Sequence, residues 1–424
     1  MISVLDLALV FALGDAGFAY FALSADHKPV VAVLVPAAGL LLVLSATLAP
    51  SERWGARLLL GASLVLGAGF SAAFVTGHPA AAPFHDSILL TDAAADRLVH
   101  GRNPYGQDYL LTAARYFYTP DVPVNFGIRH YVYPPGLILL DSPLRAWAAA
   151  GGPNVGAAIL YAPAFAGLAF AAYALRGGPV TGAASVAALA LNPLMVADTD
   201  LQFFNDVFFL APLVGCVAAL QRGRPRLGWL LLGVALCFKQ QPVTVLPFLL
   251  LYSGRRFDRR TLAWCAALAV LPGLAISLPF AAWDARAFFG DVAAFFYGSG
   301  VDNYPIRGLG LPGILYEAGL IANRWAAFPS AAFQLVATGG LLTWSIVSLH
   351  RRWTWPRFWF AGAAVSFSLF FFGRVLAPNY IDFVLVLATA GLVLLLNPAV
   401  TLRRLPAHAS ENLVPAVAGV RPDP

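Results

Sequence analysis

The sequence predicts an all-α protein that is embedded in a membrane. Of its 424 residues, 59% are hydrophobic and only 11% are charged, whereas a soluble domain usually carries about 25% charged residues. Apolar runs of about 20 residues, the length at which a helix spans the hydrocarbon layer, recur along most of the chain. Short arginine-rich connections separate several of these runs, and two longer polar loops interrupt the series.

The apolar runs predict 11 to 13 membrane helices within one polytopic domain, residues 1–405. The first run is too long for the apolar part of a signal peptide and lacks a basic start, so we expect it to remain as a span. The polar, proline-rich segment 406–424 is predicted to be a disordered tail. The runs are residues 2–23, 30–48, 58–75, 132–150, 155–175, 180–197, 207–220, 262–282, 326–349, 358–372 and 382–400.

The arginine-rich connections predict the orientation of the chain, because lysine and arginine concentrate in cytoplasmic loops. Only Lys28 and Lys239 among the 27 basic residues are lysines. Arginines placed between apolar runs fit membrane topology, and we expect no nucleic-acid partner. The clusters predicted to be cytoplasmic are Arg53 and Arg57; Arg222, Arg224 and Arg226; Arg255, Arg256, Arg259 and Arg260; Arg351, Arg352 and Arg357; and Arg403 and Arg404.

Two longer loops are then predicted on the extracytoplasmic side, each with a short amphipathic helix. The first loop, residues 77–131, contains five aspartates, four arginines and four of the seven histidines. The second loop, residues 283–307, begins with the amphipathic stretch 285–296 and ends in a turn-rich segment. This concentration of polar side chains predicts that the functional site lies on that side of the cell membrane.

Residues 227–252 are long enough to cross once, yet arginines flank both ends. A single crossing would leave one cluster on the wrong side, so we predict two half-helices, 227–238 and 243–252, broken at 239–242. Each half rises only ~18 Å at ~1.5 Å per residue. The break therefore lies within the bilayer thickness, where irregular backbone is tolerated beside a cavity.

Lys239 and Gln240 lie in this break. An ionisable group at membrane depth costs about 2.5 kcal/mol or more unless it is paired or hydrated, which favours phosphate binding by Lys239. The alternatives are that Lys239 extends toward the membrane surface or forms a structural pair with Asp200 or Asp206, which belong to a polar knot with Asp198 and Asn205. We expect these residues either to contact substrate or to form a plain polar turn. Arg374, between two spans, either neutralises a phosphate or caps a helix with its charge.

The first loop supplies the other candidates. An exposed carboxylate such as Asp86 can act as a general base. The alternative is that Asp86 caps the helix that begins near Ser87. Asp92 either contacts substrate or lies on a solvated helix face. Tyr105 provides an aromatic platform, Tyr133 opens a helix, and Arg129 with His130 fits a phosphate contact. His85, His100 and His130 match no dedicated metal spacing, so we expect neither metal nor cofactor.

The order of these features resembles the GT-C superfamily of polytopic glycosyltransferases. The resemblance is to the branch that contains the polyprenyl-phosphomannose-dependent mannosyltransferases. It rests on Asp86, on 101–105 (G-R-N-P-Y) and on 131–135 (Y-V-Y-P-P), and more weakly on segments 192–206 and 236–242. It covers about residues 84–252. One departure is that three apolar runs precede Asp86, where the family usually has one.

The resemblance implies an inverting transfer of a mannose-like hexose from polyprenyl phosphate to an extracytoplasmic hydroxyl of a lipid-linked or polysaccharide acceptor. Asp86 would be the base, and Lys239 with Arg374 or Arg129 would stabilise the leaving phosphate. The main alternative is a lipid or glycolipid transporter (flippase), although no convincing internal repeat is visible in the sequence. A polysaccharide polymerase or ligase and a non-catalytic scaffold are further alternatives.

Overall fold

The computed structural model describes residues 86–112, 129–153, 156–175, 205–295, 304–308 and 310–395, together with positions 182, 185, 186 and 189. These residues are mostly helical, which confirms the predicted all-α class at a coarse level. The runs predicted at 2–23, 30–48 and 58–75, most of 180–197, and the tail 406–424 lie outside the described residues.

The first described helices belong to the first loop and to the runs that follow it. Helix α1 (Asp86–Val99) lies in the loop. Helix α2 (Gly136–Ala149) begins directly after Pro134 and Pro135. A 3-10 turn (Ala157–Leu160) leads into α3 (Tyr161–Tyr173). Prolines before a helix restrict the backbone without interrupting its hydrogen bonds, so the sequence places the start of α2.

The central helices alternate in direction. They are α4 (Val207–Gln221), α5 (Pro225–Phe238), α6 (Leu246–Gly254) and α7 (Arg259–Trp283). Pro225 occupies the first turn of α5. Asp258 caps α7 by accepting a hydrogen bond from the Thr261 N–H at 2.8 Å, which satisfies one of the free N–H groups of the first turn.

The remaining helices complete the second loop and the C-terminal bundle. They are α8 (Ala285–Phe289), followed by a π-helical turn (Gly290–Ala294), α9 (Leu311–Glu317), α10 (Ser330–Arg351), α11 (Trp355–Phe371) and α12 (Pro378–Leu395). Strand β1 (Arg307–Gly308) pairs in parallel with β2 (Val375–Leu376). This short pairing fixes the end of the second loop against the connection between α11 and α12.

The predicted break between two half-helices is confirmed. Helix α5 ends at Phe238, a 3-10 turn (Gln241–Val245) follows, and α6 runs back. The Trp229 indole N–H at the start of α5 donates to the Ser253 hydroxyl at the end of α6, at 3.1 Å. The two ends of the hairpin therefore lie side by side, and the break lies at the far end.

The arginine-rich connections 222–226, 255–260 and 351–357 lie together, as predicted, and we call this the arginine end. The Tyr252 hydroxyl donates to the Leu220 carbonyl at 3.3 Å, which joins the ends of α6 and α4. The Arg255 guanidinium donates to the His350 carbonyl at 2.6 Å, which joins the same end to the last turn of α10. One end of the bundle thus collects the described arginine clusters.

The two polar loops pack against each other at the opposite end. The Tyr105 ring contacts the rings of Phe280 and Phe288 edge to face, with centroids 5.5 and 4.8 Å apart. The Gly106 N–H donates to Asp291 Oδ2 at 2.7 Å. Gly106 has φ +69°, and a Cβ there would lie 2.7 Å from the Cβ of Ala287. Only glycine therefore allows the loops to meet this closely.

Helices α7 and α10 are each long and apolar enough to cross a membrane. Much of their apolar surface is exposed in the described part of the chain. Leu271 and Leu278 are exposed on α7, and on α10 Leu335 and Val336 are each 77% exposed. This surface is apolar where a helix in water would carry charged residues.

Close packing of α5 on α7 gives a test of the fold. A Cβ on Gly233 would lie 2.7 Å from the carbonyl oxygens of Leu268 and Ala269. We expect Gly233→Ala to destabilise the protein by about 1–3 kcal/mol, because backbone atoms cannot move aside. Gly273→Ala on α7 is the control, since a Cβ there meets no atom within 4 Å. A thermal melt in which both variants match the wild type would contradict this packing.

Candidate functional site

The site is built around a buried ion pair between Lys239 and Asp206. The Lys239 Nζ lies 2.8 Å from Asp206 Oδ1, and the side chains are only 3% and 2% exposed. Asp206 occupies the position before the first residue of α4, without a capping hydrogen bond from its side chain, and Lys239 follows the last residue of α5. A carboxylate at a helix N-terminus and an ammonium at a helix C-terminus are both favoured by the helix dipoles. The antiparallel packing of α4 and α5 therefore stabilises both charges and brings them together.

Two aromatic rings form walls around the Lys239 ammonium. Its Nζ lies 5.6 Å from the centroid of Tyr133 and 5.7 Å from that of Phe209, within the range of cation–π attraction. The start of α2 reaches the end of α5 because Gly136 has no side chain. A Cβ there would lie 2.5 Å from the Cys237 carbonyl oxygen. This contact sets the position of Tyr133 relative to Lys239.

Asp86 approaches the same tyrosine from α1. It is the first residue of that helix and is partly buried. Its carboxylate interacts electrostatically with the hydroxyl groups of Tyr133 and Tyr304, and Asp206 also acts on Tyr133. We call Asp86, Tyr133, Tyr304, Asp206 and Lys239 the Tyr133 site. It combines a carboxylate at a helix start with a buried cation; the Tyr133 ring contacts the cation, and the Asp86 carboxylate lies within electrostatic range of the same tyrosine.

Asn205 adds an unsatisfied polar group beside Asp206. Its side chain is buried, and neither its amide nitrogen nor its carbonyl oxygen has a hydrogen-bond partner in the described part of the chain. An unsatisfied buried polar group costs about 1–3 kcal/mol. A bound polar ligand or a water molecule would remove this cost. The sequence had placed Asn205 in the polar knot without marking it as a site residue.

Tyr105 contacts the backbone of Tyr133 and so supports the site. It was predicted to provide an aromatic platform, and its ring is fully buried between the two loops. Its hydroxyl donates to the Tyr133 carbonyl at 3.0 Å. Burial raises the pKa of Tyr105 well above its ordinary value, and Tyr131, Tyr109 and Asp291 add to the shift. The phenol therefore remains a proton donor that holds the Tyr133 backbone.

Asp92 lies in a separate ion-pair cluster. Its Oδ1 lies 2.5 Å from Arg145 Nη2 and accepts the Ala157 N–H at 2.9 Å, while Arg145 also contacts Asp141 at 3.3 Å. These contacts tie α1, α2 and the turn before α3 together. They give Asp92 a structural role, whereas a direct contact with substrate remains a prediction.

Arg129 and His130 bind different carboxylates. Arg129 forms an exposed pair with Asp108, with 2.6 Å between Nη2 and Oδ2. Partial burial alone would raise the pKa of Asp108, but hydrogen bonds from Arg129 and from the Leu110 N–H outweigh it and hold the pKa below its ordinary value. His130 Nδ1 lies 2.8 Å from Asp291 Oδ1, and its ring contacts Phe295. His130 thus helps to join the two loops.

Arg374 and Gln240 also join segments of the loop end. Arg374 is buried and donates to the carbonyl oxygens of Tyr304 at 3.0 Å and Ala326 at 3.1 Å. It thereby holds the segment that carries Tyr304, and phosphate binding by Arg374 stays a prediction. The Gln240 side chain donates to the Val292 carbonyl at 3.3 Å, so the broken hairpin contacts the second loop.

Sequence reasoning missed Tyr304. It lies in the turn-rich segment at the end of the second loop, next to Pro305 and Arg307. The sequence signal that could have identified Tyr304 is a tyrosine directly before a proline, because Tyr133 also precedes a proline. His85 lies outside the described residues. Among those described, no group of three His, Cys, Asp or Glu side chains is placed to hold a metal ion.

Comparisons with protein-family models, with curated proteins and with solved structures find no match to this chain. The residues and geometry of the Tyr133 site are therefore the basis for assigning a function.

The buried ion pair predicts strong coupling between its two members. Asp206→Asn and Lys239→Met should each lower stability by about 3–5 kcal/mol, because either change leaves an uncompensated buried charge. The double variant should lose clearly less than the sum of the two, which thermal melts in a double-mutant cycle would measure.

An exposed pair provides the matched control for this cycle. Asp108→Asn and Arg129→Met remove a salt bridge of similar length at the surface, where such pairs contribute about 0–1 kcal/mol. The role given to the buried pair would be contradicted if the losses of stability in Asp206→Asn and Lys239→Met were additive. It would also be contradicted if the coupling energy were equal in the buried and the exposed pair.

Proposed function

We propose that the protein is a polytopic membrane glycosyltransferase that takes its sugar from a polyprenyl-phosphate donor. The acceptor is a hydroxyl group of a lipid-linked or polysaccharide molecule on the extracytoplasmic side. A carboxylate and a buried cation that neighbour the same tyrosine are the observation that carries this proposal. In the transfer to a hydroxyl, a carboxylate can accept the proton and a cation can stabilise the leaving phosphate.

The exposed apolar faces support the membrane part of the proposal. In the most apolar window of α7 and in that of α10, only 17% of the residues are buried in the described structure. A core helix of a soluble protein would be mostly buried, whereas a helix in contact with lipid keeps its apolar surface exposed. The collection of arginines at one end fits the excess of basic residues in cytoplasmic loops.

The depth of Lys239 follows from two helix lengths. Helices α5 and α7 both start at the arginine end and have 14 and 25 residues. At ~1.5 Å per residue they rise ~21 Å and ~37 Å, so Lys239 lies roughly 16 Å short of the far end of α7. In a hydrocarbon layer ~30 Å thick, this height supports a location of the buried ion pair within the membrane region, toward the end that carries the polar loops.

Asp86 and Lys239 have opposite roles in the proposed reaction. The Asp86 carboxylate accepts the proton of the acceptor hydroxyl while that oxygen attacks the anomeric carbon of the donor sugar. The bond between that carbon and the phosphate oxygen breaks, and polyprenyl phosphate leaves with the electron pair. Lys239, held by Asp206, stabilises the added negative charge of the phosphate. Attack from the face opposite the leaving group inverts the configuration of the sugar.

The proposed topology predicts which residues a reagent can label from each side of the membrane. Asp96 is an exposed residue of α1, and Arg224 is an exposed residue of the arginine end. In intact cells, a membrane-impermeant maleimide should label Asp96→Cys and should label Arg224→Cys only after permeabilisation. The native cysteines Cys216, Cys237 and Cys265 are buried, so the wild type should stay unlabelled. Labelling of both variants from one side would rule out this topology.

The proposed base predicts a large loss of activity from a small change. In nanodiscs with labelled polyprenyl-phosphate sugars and total membrane lipid as acceptor, Asp86→Asn should lower sugar transfer by about 10²–10⁴-fold, the usual contribution of a general base. Asp96→Asn is the matched control, since it makes the same substitution at an exposed position of the same helix. It should transfer sugar like the wild type.

Two outcomes would change this assignment. Full activity in Asp86→Asn would mean that another group is the base, with Asp92 the next to test. Equal losses in Asp86→Asn and Asp96→Asn would indicate damage to α1 in place of a missing base.

A lipid or glycolipid transporter is the second candidate. The observation that favours it is the buried ion pair at a broken helical hairpin, because transporters place ionisable residues and interrupted helices at membrane depth. A transporter needs no base, so it should move its lipid normally after Asp86→Asn while Lys239→Met stops it. A flipping assay with the same variants separates the two functions.

A further inference from the structure

A cavity of about 420 Å³ lies at the arginine end, away from the Tyr133 site. Its volume falls within the range of about 300–1,000 Å³ that is usual for small-molecule pockets. The last turns of α10 and the first turn of α11 form its walls. The lining residues are Trp344, Val347, Ser348, Arg351, Arg352 and Arg357.

The lining changes from apolar to basic along one face of α10. Trp344, Val347, Ser348 and Arg351 follow one another at spacings of three, four and seven residues from the first, so they share a face. Trp344 is 67% exposed, and Val347 is exposed as well. The face therefore offers an apolar surface that leads along the helix to a guanidinium group.

The three arginines of the cavity are exposed and carry no side-chain partner in the described part of the chain. None of them forms an ion pair or a side-chain hydrogen bond with another described residue. The last carbonyls of α10 are already bound by Arg255, which donates to Leu349 and His350. Three like charges around one cavity repel each other, and an anion that enters the cavity removes this repulsion.

We propose that this cavity binds the headgroup phosphate of an anionic phospholipid. Guanidinium groups match the geometry of phosphate oxygens, and basic pockets between membrane helices on the cytoplasmic side hold anionic headgroups. The Trp344 side of the cavity accommodates the start of an acyl chain, which a free phosphate lacks. This inference rests on the membrane placement in the proposed function, and it is independent of the sugar-transfer chemistry.

The experiment measures lipid binding to the purified full-length protein in neutral detergent. Phosphatidylglycerol or phosphatidylcholine with the same acyl chains is titrated in, and the thermal midpoint and the bound lipid, by native mass spectrometry, are recorded. The wild type should be stabilised by phosphatidylglycerol and not by phosphatidylcholine. The variant Arg351→Gln/Arg352→Gln/Arg357→Gln should bind phosphatidylglycerol at least about tenfold more weakly.

Two matched controls test the position and the apolar part of the cavity. Arg224→Gln/Arg226→Gln/Arg260→Gln removes the same charge from exposed positions of the same end and should keep wild-type binding. Trp344→Ala should weaken phosphatidylglycerol binding without affecting the arginines. Glycerol 3-phosphate and inorganic phosphate at millimolar concentration should neither stabilise the wild type nor compete with the lipid.

Three results would overturn the inference. The wild type could show no preference for phosphatidylglycerol, the two triple variants could lose binding equally, or glycerol 3-phosphate could compete fully with the lipid. The second result would indicate a diffuse effect of charge, and the third a soluble phosphate ligand. Because no sugar donor is present, loss of lipid binding and loss of sugar transfer are observed separately.

Discussion

The ion pair between Lys239 and Asp206 is the contact on which the arrangement of the site depends. Each partner occupies the helix end where the dipole favours its charge, so the pair requires α4 and α5 to be antiparallel. Helix α5 ends at Phe238, so Lys239 lies in the irregular segment between two helices, and the adjacent Gln240 contacts the second loop. One buried contact thus links the broken hairpin to the polar loops.

The surroundings of the pair determine what it can do. Asp206 compensates the ammonium of Lys239 in a position where an isolated ammonium would be costly. The rings of Tyr133 and Phe209 border the ammonium at 5.6 and 5.7 Å from their centroids, so aromatic faces surround part of the buried cation. Asp86 lies on a separate helix and is partly exposed. The site therefore combines a carboxylate that is in part accessible to solvent with a cation that is buried.

Sequence patterns predicted the helices, the broken hairpin and the shared arginine end, because each depends on local periodicity or on charge counting. The partners of individual side chains could not be predicted. Asp206 was one of two candidates for Lys239, and the choice depends on how α4 packs against α5. The contacts of Arg129 with Asp108, His130 with Asp291 and Arg374 with backbone carbonyls join segments distant in sequence. Only the tertiary fold specifies such pairs.

The contact between Gly106 and Asp291 also has a consequence for how the molecule is assembled. These residues are 185 positions apart, and a ribosome adds about 5–20 residues per second. The first loop is therefore made well before its partner, and Tyr105 stays without the rings of Phe280 and Phe288 until α7 and α8 have been synthesised. The Tyr133 site, whose backbone Tyr105 holds, is completed late. A chain cut short before residue 291 carries Asp86, Lys239 and Asp206 but lacks Asp291 and the part of the second loop that contacts Gly106 and Gln240.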